Sequence, residues 1–216
     1  VKSPWQAMPI HKEFHEGQRN PSYSHFKRYQ FQCDLVDIRD LAKYNDGVNY
    51  LFTCIDTFTR YAFVRLLQSK HGECAVRAFE SILEEANTPP VTLVMDRGSE
   101  FYNADFENFC ASRNIRYYPP DSSSHGAYIE RFNRTLQGII YRYMTENETL
   151  RFIDKSNEDG SIEHLMPKFL TTYNNSNHRM IGTTPAIAEN DDSTHLEIRK
   201  KTVSYTHLTL PTILLV

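Results

Sequence analysis

The sequence predicts an α/β domain in which a mixed five-stranded sheet carries helices on its faces. Three observations lead there. Gln30–Ile38 (QFQCDLVDI), Val48–Asp56 and Arg60–Leu67 are apolar, β-branched or aromatic runs separated by short polar turns, the pattern of an antiparallel meander. Helical and strand patterns then alternate, which adds strands to a sheet and lays helices on it. The 216 residues are 40% hydrophobic, with 13 Phe and 13 Tyr, enough to bury a substantial core in one domain with extensions.

The elements follow in order. Residues 1–29 read as an amino-terminal linker, interrupted by Pro4, Pro9 and Pro21 and richer in Lys and Arg than in Glu. Its His11 and His15 have a spacing that binds zinc on a helix, but no Cys pair accompanies them and the pair is read as incidental. Asn45-Asp46-Gly47 is a hairpin signal between the first two strands. His71–Glu85 predicts a helix with Cys74, Ala75, Ala78, Phe79, Ile82 and Leu83 on one side, ended by Pro89-Pro90. Val91–Met95 is a short buried strand that delivers Asp96 at its carboxyl end, where ligand chemistry sits in α/β sheets. A short helix with Phe106, Phe109 and Cys110 inward and a small strand near Ile115–Tyr118 come next. The polar loop Pro119–His125 leads into a long helix, Gly126–Tyr143, whose apolar stripe is Ile129, Phe132, Leu136, Ile140 and Tyr143. Beyond Asn147 the pattern weakens, although Ile162, Leu165, Met166, Phe169, Leu170 and Tyr173 space as a helix that Pro167 starts or kinks.

Composition excludes several classes. Net charge is −3, so there is no general nucleic-acid footprint and any DNA contact must rest on local charge. No run approaches the roughly 20 apolar residues of a membrane span, and the first residues mix charges and prolines, unlike a signal peptide. The absent initiating Met suggests a piece of a longer chain. Cys33, Cys54, Cys74 and Cys110 form no CxxC, and free thiols in a reduced intracellular protein are expected. Residues 191–202 read as a truncated tail. The apolar, uncharged Val203–Val216 (VSYTHLTLPTILLV) contains the translation of a common transposase-based sequencing adapter and is read as a scar, outside the fold.

Asp34 in the first strand, Asp96 after the fourth and Glu130 on the long helix are the candidate metal ligands. Glu130 shares a face with Arg134 and Gln137, turned roughly 130–140° from the apolar stripe, so it stands on a buried helix and points out of the core. Three carboxylates in one place raise one another's pKa. A divalent cation removes that penalty, and hard oxygen donors select Mg²⁺ or Mn²⁺. Two such ions about 3.5–4 Å apart clamp the attacking and leaving oxygens of an in-line phosphoryl displacement. No GxSxG elbow or P-loop offers a rival chemistry. Singly, each carboxylate has an ordinary explanation: Asp37 competes with Asp34, Asp56 caps a turn, Glu100 faces solvent, and Glu130–Arg134 is an exposed ion pair worth a few tenths of a kcal/mol. Only the joint pattern points to a metal site.

Five blocks carry a resemblance: FQCD (31–34), KYNDGVNYLFTCIDTFTRYAFVRLL (43–67), DRGSEFYN (96–103), IERFNRTL (129–136) and YNNSNHRMIGTTP (173–185). Together they resemble the D-D-E integrase catalytic core, most closely that of Maverick/Polinton DNA transposons and more distantly those of retroviruses and retrotransposons. The resemblance covers residues 30–190. It implies a ribonuclease H-like fold, three antiparallel strands followed by parallel additions, and a catalytic triad of Asp34, Asp96 and Glu130 holding two Mg²⁺ (or Mn²⁺) ions. Asp34 is preferred to Asp37 because FQCD resembles the family's W-Q-x-D. The implied activity is DNA integration: donor 3′ ends are trimmed with water, and the freed 3′-hydroxyl attacks target DNA. It further implies double-stranded DNA as partner, a homo-oligomer and a nuclear location. Arg131, Asn133, Arg134, Gln137 and Lys155 are the candidate DNA contacts, and Ser122–Gly126 the flap that orders on DNA. Three departures stand out: a slightly short spacing from Asp96 to Glu130, Gln137 where Lys is common, and Phe31 in place of Trp. The rival readings are a ribonuclease H-type nuclease and an inactive or domesticated integrase acting as a DNA-binding module.

Overall fold

Strand β1 (Gln30–Asp37) lies at the middle of a five-stranded sheet of order β3-β2-β1-β4-β5. The structure, a computed structural model, describes residues 24–95, 104–118, 126–156 and 162–207. Strands β2 (Tyr50–Asp56) and β3 (Ala62–Leu67) pair antiparallel, and β4 (Thr92–Met95) and β5 (Arg116–Tyr118) add in parallel. This is the expected sheet.

Side chains alternate across a strand, so β1 serves two cores. Phe31 and Cys33 face the layer of α1 (Gly72–Ala86) and α2 (Ala104–Ser112), packed with Phe52, Phe63, Phe79, Leu93 and Phe106. Gln32, Asp34 and Val36 face the opposite layer. There α3 (Ala127–Glu146) and α4 (Leu165–Asn174) bury Ile129, Phe132, Leu136, Ile140 and Phe169 against Leu51 and Ile55. Met144 takes the last buried place on α3, while Tyr143 sits at the edge against the Phe169 ring, 5.4 Å between centroids. Pro167 lies in the first turn of α4, where its missing N–H costs nothing.

The chain departs from the sequence reading in three places. A 3-10 helix, Arg39–Tyr44, stands between β1 and β2, and the Asp46-Gly47 turn follows it with φ of 54° and 75°. Buried Asn45 holds this corner, donating to Leu41 O (2.9 Å) and Leu150 O (3.0 Å) and accepting from Phe152 N (2.8 Å). Helix α1 stops at Ala86, ahead of the prolines, because Asn87 adopts the left-handed conformation (φ 59°). A small hairpin, β6 (Asp154–Ser156) and β7 (Ile162–His164), precedes α4. Its strands are too short, and β7 too exposed, to show an alternating apolar pattern. Helices α5 (Pro185–Asn190) and α6 (His195–His207) close the described chain, so the α6 backbone runs into the stretch that begins at Val203. No helix among the described residues is long and apolar enough to cross a membrane, and all four cysteines are free.

Candidate active site

The amino end of a helix leaves N–H groups without partners. In α3 the strand supplies them: Gln32 Oε1 accepts from Tyr128 N and Ile129 N, each at 3.2 Å. Gly126 precedes the helix, and a Cβ there would fall 2.7 Å from Ile129 Cγ2. Gln32 thus docks the first turn of α3 onto β1. Gln32→Leu is expected to strand both N–H groups and cost about 1–3 kcal/mol, measurable by urea unfolding; an unchanged midpoint would show that the cap carries no stability.

Asp34 lies on the same face of β1, two residues along. Its Oδ1 accepts from Leu35 N (2.7 Å) and its Oδ2 from Asn133 Nδ2 (2.8 Å). Asn133 is buried and stands three residues beyond Glu130 on α3. Glu130 itself is exposed, and Arg134 Nη2 lies 4.0 Å from its Oε2. One hydrogen bond therefore ties the Asp34 strand to the helix turn that bears Glu130.

Met95, at the end of β4, pairs in parallel with Cys33, the residue before Asp34. Asp96 and residues 122–125 of the expected flap lie outside the described residues, as do His11, His15 and Glu100. Among the described residues no three His, Cys, Asp or Glu side chains cluster as a metal site; two of the three expected ligands are in that set. Their chemistry fits Mg²⁺ or Mn²⁺, since the donors are hard oxygens. Beside them, Asn133 Oδ1 is buried without a hydrogen-bond partner.

The expected DNA contacts divide. Arg131 and Arg134 are exposed on α3 and Gln137 is half-buried. Asn133 faces inward and donates its amide N–H to Asp34. Lys155 is not brought to the carboxylates. It sits on β6, past the carboxyl end of α3, where Arg151 anchors the chain to Asp46 at 2.7 Å. Sequence charge alone does not say which end of a helix a later lysine reaches.

Two groups were missed or underrated. Asp56, read as a turn cap, does accept from Phe58 N (2.7 Å) and Thr59 N (3.3 Å), but also from Arg28 N (2.8 Å) and the Arg28 guanidinium (3.5 Å). Arg28 also donates to Glu189 on α5 and to Ala86 O (3.2 Å), and Thr59 Oγ1 donates to Glu189 at 3.2 Å. Burial raises the pKa of both Asp56 and Glu189, opposed by Arg28. Lys27 and Arg28, ahead of the expected boundary at Gln30, are thus part of the folded unit. Three consecutive charged or polar residues at 27–29 gave no sequence signal for this.

The second is His178, in the turn between α4 and α5. Burial first, then Arg60 and Arg131, push its pKa from 6.5 to about 4. A histidine depressed on folding binds fewer protons than in the unfolded chain between those values, so stability rises with pH across that window. Acidification from about pH 6.5 to 4 is expected to remove about 2 kcal/mol after allowance for partial exposure. His178→Gln should flatten that part of the pH–stability curve; an unaltered curve would place the acid sensitivity elsewhere.

Known proteins agree with this architecture. Residues 27–123 match the integrase core domain family (rve). A transposon-derived protein of Caenorhabditis elegans is 33% identical over 150 residues, 69% of this chain and 49% of that protein. The chain thus spans about half the length of that relative. The catalytic core domain of HTLV-2 integrase, solved in complex with magnesium, superposes with a TM-score of 0.57 at 20% identity, covering 76% of this chain and 97% of that one. A chain of the simian T-cell lymphotropic virus intasome, solved with a PP2A regulatory subunit, gives 0.65 at 16% identity over 84% of this chain and 61% of its own. Residues 27–123 therefore carry an integrase core domain match, the chain is similar in sequence to a transposon-derived protein, and its fold is that of retroviral integrase catalytic cores, ribonuclease H-like.

Proposed function

We propose that this chain is the catalytic core of a Maverick/Polinton-type DNA transposon integrase, a metal-dependent polynucleotidyl transferase acting on double-stranded DNA. The observation that carries the reading is the Asp34–Asn133 hydrogen bond, which fixes the turn bearing Glu130 beside the strand bearing Asp34. Asp34, Asp96 and Glu130 would hold two Mg²⁺ or Mn²⁺ ions. When bound, such ions lower the pKa of the attacking hydroxyl and neutralise the leaving oxygen.

The chain's own residues do the rest. Asn133 fixes the orientation of one Asp34 oxygen. Arg131 and Arg134 offer cations to backbone phosphates. In the first step a water oxygen bonds to phosphorus and the donor 3′ oxygen leaves as a hydroxyl; in the second that 3′-hydroxyl oxygen bonds to a target phosphorus and the target strand's own 3′ oxygen leaves. Neither step needs a covalent nucleophile. The working form is a homo-oligomer located in the nucleus, where its substrate lies.

The test is Mg²⁺-dependent joining of labelled terminal-repeat DNA to a plasmid. Joined product supports the reading. Cleavage confined to RNA in hybrids would replace it with a ribonuclease H-type nuclease, and binding without any cleavage would replace it with a DNA-binding module.

A further inference from the structure

One face of α3 is committed to the core through Ile129, Phe132, Leu136 and Ile140. The opposite face is centred on Gly138 and carries Arg131, Arg134, Thr135, Tyr141, Arg142 and Thr145, all within roughly 60° of it at 100° per residue. Each of these residues is exposed, and none is acidic. The two carboxylates that border the face, Glu130 and Glu146, stand roughly 80° to either side of Gly138. Arg134 lies 4.0 Å from Glu130, whereas Arg131 and Arg142 form no ion pair with a carboxylate among the described residues. The Thr135 and Thr145 hydroxyls donate back to Arg131 O (3.0 Å) and Tyr141 O (2.9 Å), which folds both side chains down onto the helix. In a chain of net charge −3, this face is a local positive field with low relief.

Gly138 has no structural reason to be glycine. It is an interior helix position, its φ is not positive, and a Cβ there would have no atom within 4 Å beyond the helix's own backbone. Alanine would make the more stable helix, because glycine loses more backbone freedom on folding. What glycine leaves is a low place on the surface, with Arg134 four residues before it and Arg142 four residues after. Their Cα atoms are roughly 12 Å apart along the helix axis. At about 3.4 Å of duplex axis per nucleotide, that span reaches phosphates a few nucleotides apart on one strand.

We propose that the solvent face of α3 from Arg131 to Arg142 is a track for one sugar–phosphate backbone of duplex DNA, with Gly138 as the point where that backbone comes closest to the helix. Arginine suits the role, since its planar fork pairs with phosphate oxygens. Tyr141, 49% exposed, offers a phenol O–H to the same backbone. The track rests on the integrase reading for its ligand. It begins one residue after Glu130, so a strand brought to that carboxylate runs on along it, and an acidic polypeptide is the occupant to be tested against DNA.

The full chain is titrated against a labelled blunt duplex in Ca²⁺, by fluorescence anisotropy at several salt concentrations. Arg142→Gln is expected to weaken binding about fivefold and to lower the slope of log affinity against log salt by about one. Gly138→Ala is expected to raise the thermal midpoint by about 2–4 °C and yet to weaken binding about threefold. Gly138→Glu should weaken it about tenfold or more. Arg77→Gln, exposed on α1 in the other helix layer, removes the same charge and should bind duplex like wild type. A Gly138→Ala chain with wild-type affinity, or an Arg142→Gln chain with unchanged affinity and slope, overturns the track. So does an equal loss in Arg77→Gln, or a wild-type chain that takes poly-glutamate as tightly as DNA. Mg²⁺-dependent joining that survives such a result leaves the integrase reading standing. The expected binding losses in a chain that never joins ends leave the track and remove the enzyme.

Discussion

Glu130→Gln is expected to lower Mg²⁺-dependent DNA joining by about 10³-fold or more while leaving the fold intact. The two halves of that expectation have separate causes. Glutamine keeps the shape of the side chain but removes the charge that a divalent cation needs, and loss of transition-state charge stabilisation of about 4 kcal/mol corresponds to that factor. The Glu130 side chain is 51% exposed and its ion-pair contact is with an Arg134 that is 79% exposed, so folding stability should change by no more than about 0.5 kcal/mol. Joining of labelled donor ends and a urea unfolding curve on the same preparation check both halves. Retained joining would remove Glu130 from the metal site. Lost joining with a lowered unfolding midpoint would mean the helix, not the chemistry, had been damaged.

The largest stability effect is expected from Asp56→Ala, about 3–5 kcal/mol. Asp56 is fully buried and serves at once the Arg28 guanidinium, the Arg28 backbone and the turn that returns β2 to β3. Removing it leaves Glu189 and Ala86 O to hold the Arg28 guanidinium and strands the Phe58 and Thr59 amides. Thermal unfolding should shift down by roughly 10 °C. Asp56→Asn, which keeps an acceptor for the turn, should cost less. A loss below about 1 kcal/mol for the alanine variant would show that the network is incidental to the fold.

How far the sequence reached depended on the range of the interaction. The strands β1 to β4, helix α1 and the buried stripe of α3 were readable because their periods, 2 and 3.6 residues, are local properties of the chain. So was the capping of a turn by Asp56, whose partners are two and three residues away. The exposed β6–β7 hairpin lay below that threshold, for a strand of three residues shows no period. Asn133 was identified by its place in the IERFNRTL block, but its direction was not: a helix position 60° from Glu130 can face DNA or the sheet, and burial against Asp34 decided it.

By itself the sequence determined a mixed sheet with helices on its faces, the helix that carries Glu130, and the strand that carries Asp34. Tertiary structure alone decided how these are held together. Gln32 caps a helix 96 residues away, Asn133 reaches a carboxylate 99 residues away, and Arg28 bonds Glu189 across 161. No local pattern encodes such pairs. Each exists because packing on either face of the sheet excludes water from polar groups, which must then find one another or bear the cost of burial unpaired.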